Sequence, residues 1–312
     1  MSLKEILVAL KPKQALLHYN IATLEQFKAG VEAVKETAIP LIFGVSEGER
    51  NYLSPRLSRE LVSEYSGQLP FFLNADHSKS VESAQEAIDA NFDAVLFDGS
   101  EFSLSDNILR TKAVVGYNRR LDNNSRPQAL IEGELGYLPG SSDLESEIEV
   151  KPEFLTQPEE AEKFVAETEI NLLAISVGNI HGIPTSVKHT GNIKNMNGHE
   201  HESARLNVDQ TIFNKAQLNF TRIQGINTRL AHFKSFNGLV LHGGSGLEAE
   251  DFLKAIQSGI KIIHLNTEFR QIWKESLIKE LNQKTVVPYK IYQGVIEALK
   301  ARIVYYQKLF WA

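Results

Sequence analysis

Apolar residues along the chain gather into eight short runs, each bounded by polar or turn-forming residues. They occupy residues 14–20, 39–46, 70–76, 93–98, 128–135, 172–178, 238–242 and 260–266. Their length and their content of Val, Ile, Leu and Phe predict buried strands. Between them, apolar residues recur at spacings of three and four, as in LEQFKAGVEAVKE (24–36), SVESAQEAIDA (80–90), QPEEAEKFVAE (157–167), VDQTIFNKAQLNFTRI (208–223) and AEDFLKAIQS (249–258). That spacing predicts amphipathic helices. Strands that each lead into a helix imply a parallel sheet. At 312 residues, closure into one (β/α)8 TIM barrel over the whole chain is the expected form. An open doubly wound sheet is the competitor, and the lack of a Gly-x-Gly-x-x-Gly after the first strand counts against it.

Three stretches fall outside this alternation. MSLKEILVALKPK at the start reads as a short amphipathic helix, without the long apolar centre of a signal peptide. From about 284 to 312 the pattern is helical again, and its Tyr, Ile, Val and Leu positions suit packing on the barrel or on a second subunit. Residues 182–206 are polar and rich in Gly and Asn, with no period, which predicts a long loop over an active site.

Composition narrows the function classes. Hydrophobic residues make up 42% and charged residues 23%, as in an ordinary globular chain with a sizeable core. A net charge of −6 without any dense Lys/Arg block argues against nucleic acid as a partner. No apolar run reaches the roughly 20 residues of a membrane span. With no cysteine, a transition metal must be held by His and carboxylates, and the cytoplasm is the default compartment.

Chemistry in a parallel barrel belongs at the C-terminal ends of the strands. Strand three ends in Asp76-His77, and strand five carries Glu132 and Glu134, two apart and so on one face. Strand six runs into His181-Gly182, strand seven into His242, Gly243, Gly244 and Ser245, and strand eight carries His264 before Asn266 and Thr267. Of nine histidines, four thus fall at different strand ends. Three imidazoles from separate strands can hold a divalent ion with a position left open for substrate. Asp76 can then transfer a proton beside the ion. The glycines, with Ser245, Asn266 and Thr267, make a cradle suited to phosphate.

These motifs resemble the class II, metal-dependent fructose-bisphosphate and tagatose-bisphosphate aldolases. NADHS (74–78), AIDANFDAVLFDGS (87–100), EGELG (132–136), VGNIHGIPT (177–185) and LVLHGGSGL (239–247) are similar to the family's motifs in order, and PYKIYQGVIEALKARI to its C-terminal segment. The resemblance implies Zn2+ or another divalent ion on His77, His181 and His242, with a monovalent cation as a further candidate. It implies Asp76 as the proton-transfer residue and Glu134 as a carboxylate near the metal. Gly182, Gly243, Ser245, Asn266 and Thr267 would hold the phosphate of a dihydroxyacetone-phosphate unit, and Asn20 and Ser46 would touch substrate. The implied reaction is aldol cleavage of a phosphorylated ketose through an enediolate, in a homodimer or homotetramer.

Departures from the family pattern touch the substrate side. The family usually has a lysine four residues after its second metal histidine; here Thr185 stands there, with Lys188 as the substitute. The strand-eight motif normally opens with asparagine, and this chain has His264, a pocket residue or a satisfied core histidine. The acidic loop candidates move to Asp143 and Glu145. Blander readings apply elsewhere: His18 as an interior barrel residue, Glu132 as structural or catalytic, Asp98 as a cap or brace for the next helix, GHEH (198–201) as solvated loop, His189 and His232 as surface. The alternative to a lyase is a catalytically retired barrel that keeps its metal and binds a sugar phosphate or a protein partner. A metal-dependent hydrolase accounts poorly for the separate phosphate cradle.

Overall fold

The computed structural model describes residues 1–65, 67–121, 128–140, 148–182, 187–189 and 216–312. The strands are β1 (Leu16–Asn20), β2 (Leu41–Ser46), β3 (Phe71–Ser78), β4 (Ala94–Phe97), β5 (Leu130–Leu135), β6 (Ile148–Val150), β7 (Leu172–Ile175), β8 (Val187–His189), β9 (Gly238–Leu241) and β10 (Ile260–Leu265). All but β6 and β8 close into a parallel barrel in the order β1-β2-β3-β4-β5-β7-β9-β10, shut by pairing of β10 with β1. Each of the eight apolar runs has become a barrel strand. The open sheet is thereby excluded.

Side chains on a strand alternate between faces, so the sequence sorts itself into two layers. Leu17, Phe43, Leu73, Val95, Ile131, Leu173, Leu239 and Ile263 face outward and join the helices in the main core. Leu16, Ile42, Phe72, Leu130, Leu172, Val240 and Ile262 face inward and fill the lower barrel. Helix α1 (Leu3–Ala9) adds Leu3, Ile6 and Leu7 to that inner cluster, so the amphipathic N-terminus plugs the barrel floor. A capping box between Ser2 and Glu5 starts it.

Two positions further up, the inward face turns polar, with His18, Asn74, Glu132, His242 and His264 all buried. Gly44 holds the matching position on β2. A Cβ there would lie 2.0 Å from Cε1 of His18, so only glycine leaves room for that ring.

The remaining helices are α2 (Leu24–Thr37), α3 (Glu47–Leu53), α4 (Pro55–Ser63), α5 (Val81–Asp89), α6 (Leu104–Arg120), α7 (Pro158–Thr168), α8 (Phe220–Leu230), α9 (Ala249–Gln257), α10 (Thr267–Leu281) and α11 (Pro288–Trp311). The tail helix α11 buries Val295, Leu299, Ile303 and Phe310 in the core, and Gln14 Nε2 donates to Trp311 O at 2.9 Å. It packs on the barrel, as its pattern allowed.

Two sequence expectations need correction. The helix read at 208–223 begins at Phe220, and residues 208–215 lie outside the described residues. Asn219 caps that helix through the N–H of Arg222, so the start follows the cap rather than the apolar period. The stretch 182–206, read as loop, contains β8, which pairs in parallel with β6 through Ile148↔Val187 and Val150↔His189. The rest of it, with His199 and His201, is outside the described residues.

Replacing Gly44 by alanine should destabilise the barrel by about 1–3 kcal/mol through overpacking against His18. Thermal unfolding checks this; an unchanged midpoint would mean that the ring has room to move.

Candidate active site

Asp76 and His77 are consecutive, so a regular strand would send one inward and the other out. The strand is not regular there. Between Ala75↔Val95 and Ser78↔Phe97, β3 carries one residue more than β4, and His77 has φ 45° in the left-handed region. Such a bulge lets both side chains reach the barrel mouth. A non-glycine residue held there costs of order 1–3 kcal/mol, so the surroundings must impose it. Arg50 of α3 does part of this, donating to Asp76 O at 3.1 Å, Val45 O at 2.7 Å and Ser78 Oγ at 2.9 Å.

Asp98 does the rest. Its Oδ2 lies 2.8 Å from His77 Nδ1 and 2.6 Å from Lys79 Nζ, while Oδ1 accepts from Ser100 N and Oγ. The sequence suggested a helix cap or brace. Instead Asp98 orients the His77 ring, which a strict scan of strand ends would have found at the end of β4. Burial alone would lower His77, but the carboxylates of Asp76, Glu134 and Asp98 overcome it and push the imidazole up to about 10. A cation arriving at Nε2 must therefore displace a proton.

Across the mouth, His242 follows β9. Its Nε2 is 2.9 Å from Glu132 Oε1 and its Nδ1 is 3.2 Å from His77 Nε2. Each ring thus gives one nitrogen to a carboxylate and turns the other toward its neighbour. Two nitrogens on one tetrahedral zinc, at about 2.0–2.1 Å each, would stand about 3.3 Å apart. The pair fits a metal. Burial drives His242 and His181 down to about 3, so both are neutral imidazoles ready to ligate. Burial also raises the carboxyl of Glu132 well above its usual range and that of Glu134 to about 8.

His181 stands one step back. Its ring is 5.2 Å from that of His77 and 6.4 Å from that of His242. Among the described residues, the atoms that converge within 4.8 Å around the pair are those of Asp76, His77 and His242. Gly243, with φ 63°, lets the loop pass; a Cβ there would meet Ile180 O at 2.0 Å. Asn179 ties the two loops together by donating to Ile175 O and His242 O.

An open cleft above these groups gathers nearly every residue singled out from the sequence: Asn20, Ser46, Asp76, His77, His181, Gly182, His242, Gly243, Ser245, His264, Asn266 and Thr267. Glu134 lies beneath, with Oε2 at 3.4 Å from His77 Nδ1. Asp143, Glu145, Thr185 and the side chain of Lys188 lie outside the described residues. Helix α10 starts at the rim, where its N-terminus is a common kind of anion seat; Asn266 gives it no side-chain cap, while Ser245 Oγ accepts from Glu268 N at 3.2 Å.

The cleft adds one residue that sequence reasoning missed. Arg270, one turn along α10 from Thr267, donates through Nη2 to Glu49 Oε1 at 2.8 Å. Glu49 Oε2 accepts from Ser46 N at 2.7 Å and from Asn20 Nδ2 at 3.0 Å, and the same Asn20 amide donates to Asp76 Oδ2 at 2.9 Å. The capping-box spacing of Ser46 and Glu49 was the available signal. Several buried polar atoms about the cleft lack a protein partner: Asp76 Oδ1, Glu132 Oε2, Glu134 Oε2, Asn20 Oδ1 and both nitrogens of His264. Orphans in such number at one place call for a ligand.

A parallel barrel with metal-ready imidazoles and a free carboxylate at its C-terminal rim has the layout of a metal-dependent lyase. Residues 1–312 match the family model described as fructose-bisphosphate aldolase class-II, and the chain belongs to that family. A fructose-bisphosphate aldolase of Staphylococcus aureus is 30% identical over 313 residues, spanning 97% of this chain and 94% of the relative. One of Treponema pallidum is 32% identical over 250 residues, 78% of this chain and 68% of the relative. In fold, the chain is similar to the YdjI aldolase of Escherichia coli K12, with a TM-score of 0.71 at 24% identity over 96% of this chain and 92% of that one. It is similar also to a fructose-bisphosphate aldolase of Campylobacter jejuni, with a TM-score of 0.72 at 16% identity over 98% and 92%. Membership favours an aldolase-type lyase over a retired barrel. Among the described residues, no helix is long and apolar enough to cross a membrane.

The purified protein should bind about one divalent ion per chain, and His242→Ala should lose most of it, because one of few protein ligands is gone. Asp98→Asn should weaken binding by about 10–100-fold by releasing the His77 ring. Metal analysis after dialysis against a buffered chelator reads both; full retention in His242→Ala would sink the assignment.

Proposed function

We propose that this chain catalyses reversible aldol cleavage of a phosphorylated ketose, with Asp76 as its proton-transfer residue. The observation that carries this reading is the buried, unpartnered Oδ1 of Asp76, 3.8 Å from His77 Nε2, at the floor of the cleft. His77, His181 and His242 would hold Zn2+ or another divalent ion. When bound, the ion supplies positive charge that polarises the ketone carbonyl and acidifies the carbon beside it.

The chain's own residues then have distinct tasks. Burial works to raise the Asp76 carboxyl, but His77, His264 and His18 outweigh it and hold it well below the usual carboxylate range. Asp76 is therefore ionised, and Asn20 Nδ2 on Oδ2 leaves Oδ1 to take the proton. Glu134 stays beside His77 as an outer carboxylate, and Asp143 in the acidic loop is a further proton carrier in this reading. Gly182, Gly243, Ser245, Asn266 and Thr267 seat one phosphate with backbone N–H groups and hydroxyls, with Lys188 as an added cation. Ser46 and Asn20 face the other end of the substrate. Sugar-phosphate chemistry makes the cytoplasm the proposed compartment. The exposed Ile278, Leu281, Val286 and Tyr289 near the α10–α11 turn support a homodimer or homotetramer.

Asp76→Asn should abolish carbon–carbon cleavage while leaving metal content nearly intact, since the amide keeps the shape but cannot accept a proton. Turnover near that of the wild type would put the base elsewhere, with the acidic loop next in line.

The relatives named above are fructose-bisphosphate aldolases, yet fructose 1,6-bisphosphate should be a poor substrate here. Without a lysine at 185, a charge-assisted phosphate contact of roughly 1.5–3 kcal/mol is missing, about tenfold to hundredfold in affinity. His264 adds bulk where the family pattern has a small amide. A retro-aldol screen over ketose mono- and bisphosphates tests this. A kcat/KM of about 10⁴ M⁻¹s⁻¹ or more for fructose 1,6-bisphosphate would show the departures to be neutral.

A further inference from the structure

Two imidazoles inside the barrel lie outside the proposed ligand set. His18 from β1 and His264 from β10 stack with ring centroids 3.4 Å apart and planes 3° apart. His264 also leans on His242, with centroids 3.8 Å apart and planes at 32°. His18 is fully buried and tied down, its Nε2 3.2 Å from Asn74 Oδ1 in the space that Gly44 leaves open.

His264 is the reverse case. It is only 5% exposed and lines the cleft, yet neither ring nitrogen has a hydrogen-bond partner among the described residues. Its Nδ1 stands 3.4 Å from Asp76 Oδ1, close enough for the two to interact electrostatically but without the geometry of a formed hydrogen bond, and Oδ1 makes no hydrogen bond to any other described residue. A neutral imidazole carries one N–H and one lone pair, and leaving both unmet in a buried place is costly unless a ligand meets them. A donor and an acceptor therefore converge on one point of the cleft. A substrate oxygen at that point satisfies both.

We propose that His264 is a catalytic residue that donates a ring N–H to the substrate oxygen whose proton Asp76 removes, and that His18 is the positioning residue that holds its ring plane. The proposal rests on the aldolase reading above. In the cleavage direction the hydroxyl O–H bond breaks and its proton passes to Asp76 Oδ1. The oxygen's electron pair forms the aldehyde carbonyl as the carbon–carbon bond breaks, and that bond's pair goes to the α-carbon of the ketone half. The α-carbon then takes the proton from Asp76, which returns to its carboxylate form. His264 keeps its own proton throughout, and its hydrogen bond strengthens as charge builds on the oxygen. In the reverse direction the same N–H polarises the incoming aldehyde.

Two readouts on the metal-loaded protein separate this role from that of the base. One is exchange of the α-proton of dihydroxyacetone phosphate with D2O, which needs no aldehyde. The other is condensation of dihydroxyacetone phosphate with glycolaldehyde. His264→Ala should keep its metal and exchange within about threefold of wild type while condensation falls about a hundredfold, the scale of losing one preorganised donor. His18→Ala should give the same split at about tenfold, since only the ring plane is loosened. His18→Phe, which keeps a ring in the stack, should recover most of the condensation rate. Equal loss of exchange and condensation in His264→Ala, or loss of neither, would overturn the proposal. Absence of exchange in the wild-type holoenzyme would instead overturn the aldolase reading on which it rests.

Discussion

The hydrogen bond between His77 Nδ1 and Asp98 Oδ2, at 2.8 Å, is the contact on which the rest of the site depends. It selects which nitrogen of His77 faces the cleft, and it holds a residue whose backbone is in an unfavourable region. Without it, the bulge in β3 would lose the shortest side-chain contact that holds His77.

That contact sits in an interior with an unusual load of ionisable groups. His18, Asp76, Glu132, Glu134, His242 and His264 are all buried within the upper barrel. Buried charges and orphaned polar atoms destabilise a fold unless they are paired or serve a ligand. The apolar lower barrel, closed by α1 and backed by the outer core, supplies the stability against which that load is carried. The division is vertical: packing below, chemistry above. One set of strands provides both because each strand passes through both layers.

One departure from the family pattern, His264, is tied closely to its surroundings. His264 stacks on His18, and His18 fits only because position 44 is glycine. Arg270, Glu49 and Asn20 form a hydrogen-bonded chain from the rim of the cleft to Asp76. A change in the substrate end of the cleft is thus coupled to the base through side chains, while Asp98 and Glu132 orient the histidine pair from the other side.

Much of this was legible along the chain. Eight apolar runs with helices between them determined the barrel, because strand length and helical period are local properties of the sequence. The strand-end rule placed His77, His181, His242 and His264 at one mouth, since parallel strands all point their C-terminal ends the same way. What the sequence by itself left undecided were contacts between distant strands and the breaks in regularity. Asp98 read as a helix cap because its partner His77 lies on the neighbouring strand. The start of α8 at Phe220 was masked by an apolar period that ran on ahead of the cap at Asn219. The stacking of His18 on His264 exists only because β10 closes onto β1. The inward turn of both Asp76 and His77 required one extra residue in β3, which no periodicity announces. Local chemistry determined which residues could act; closure of the barrel decided which of them meet.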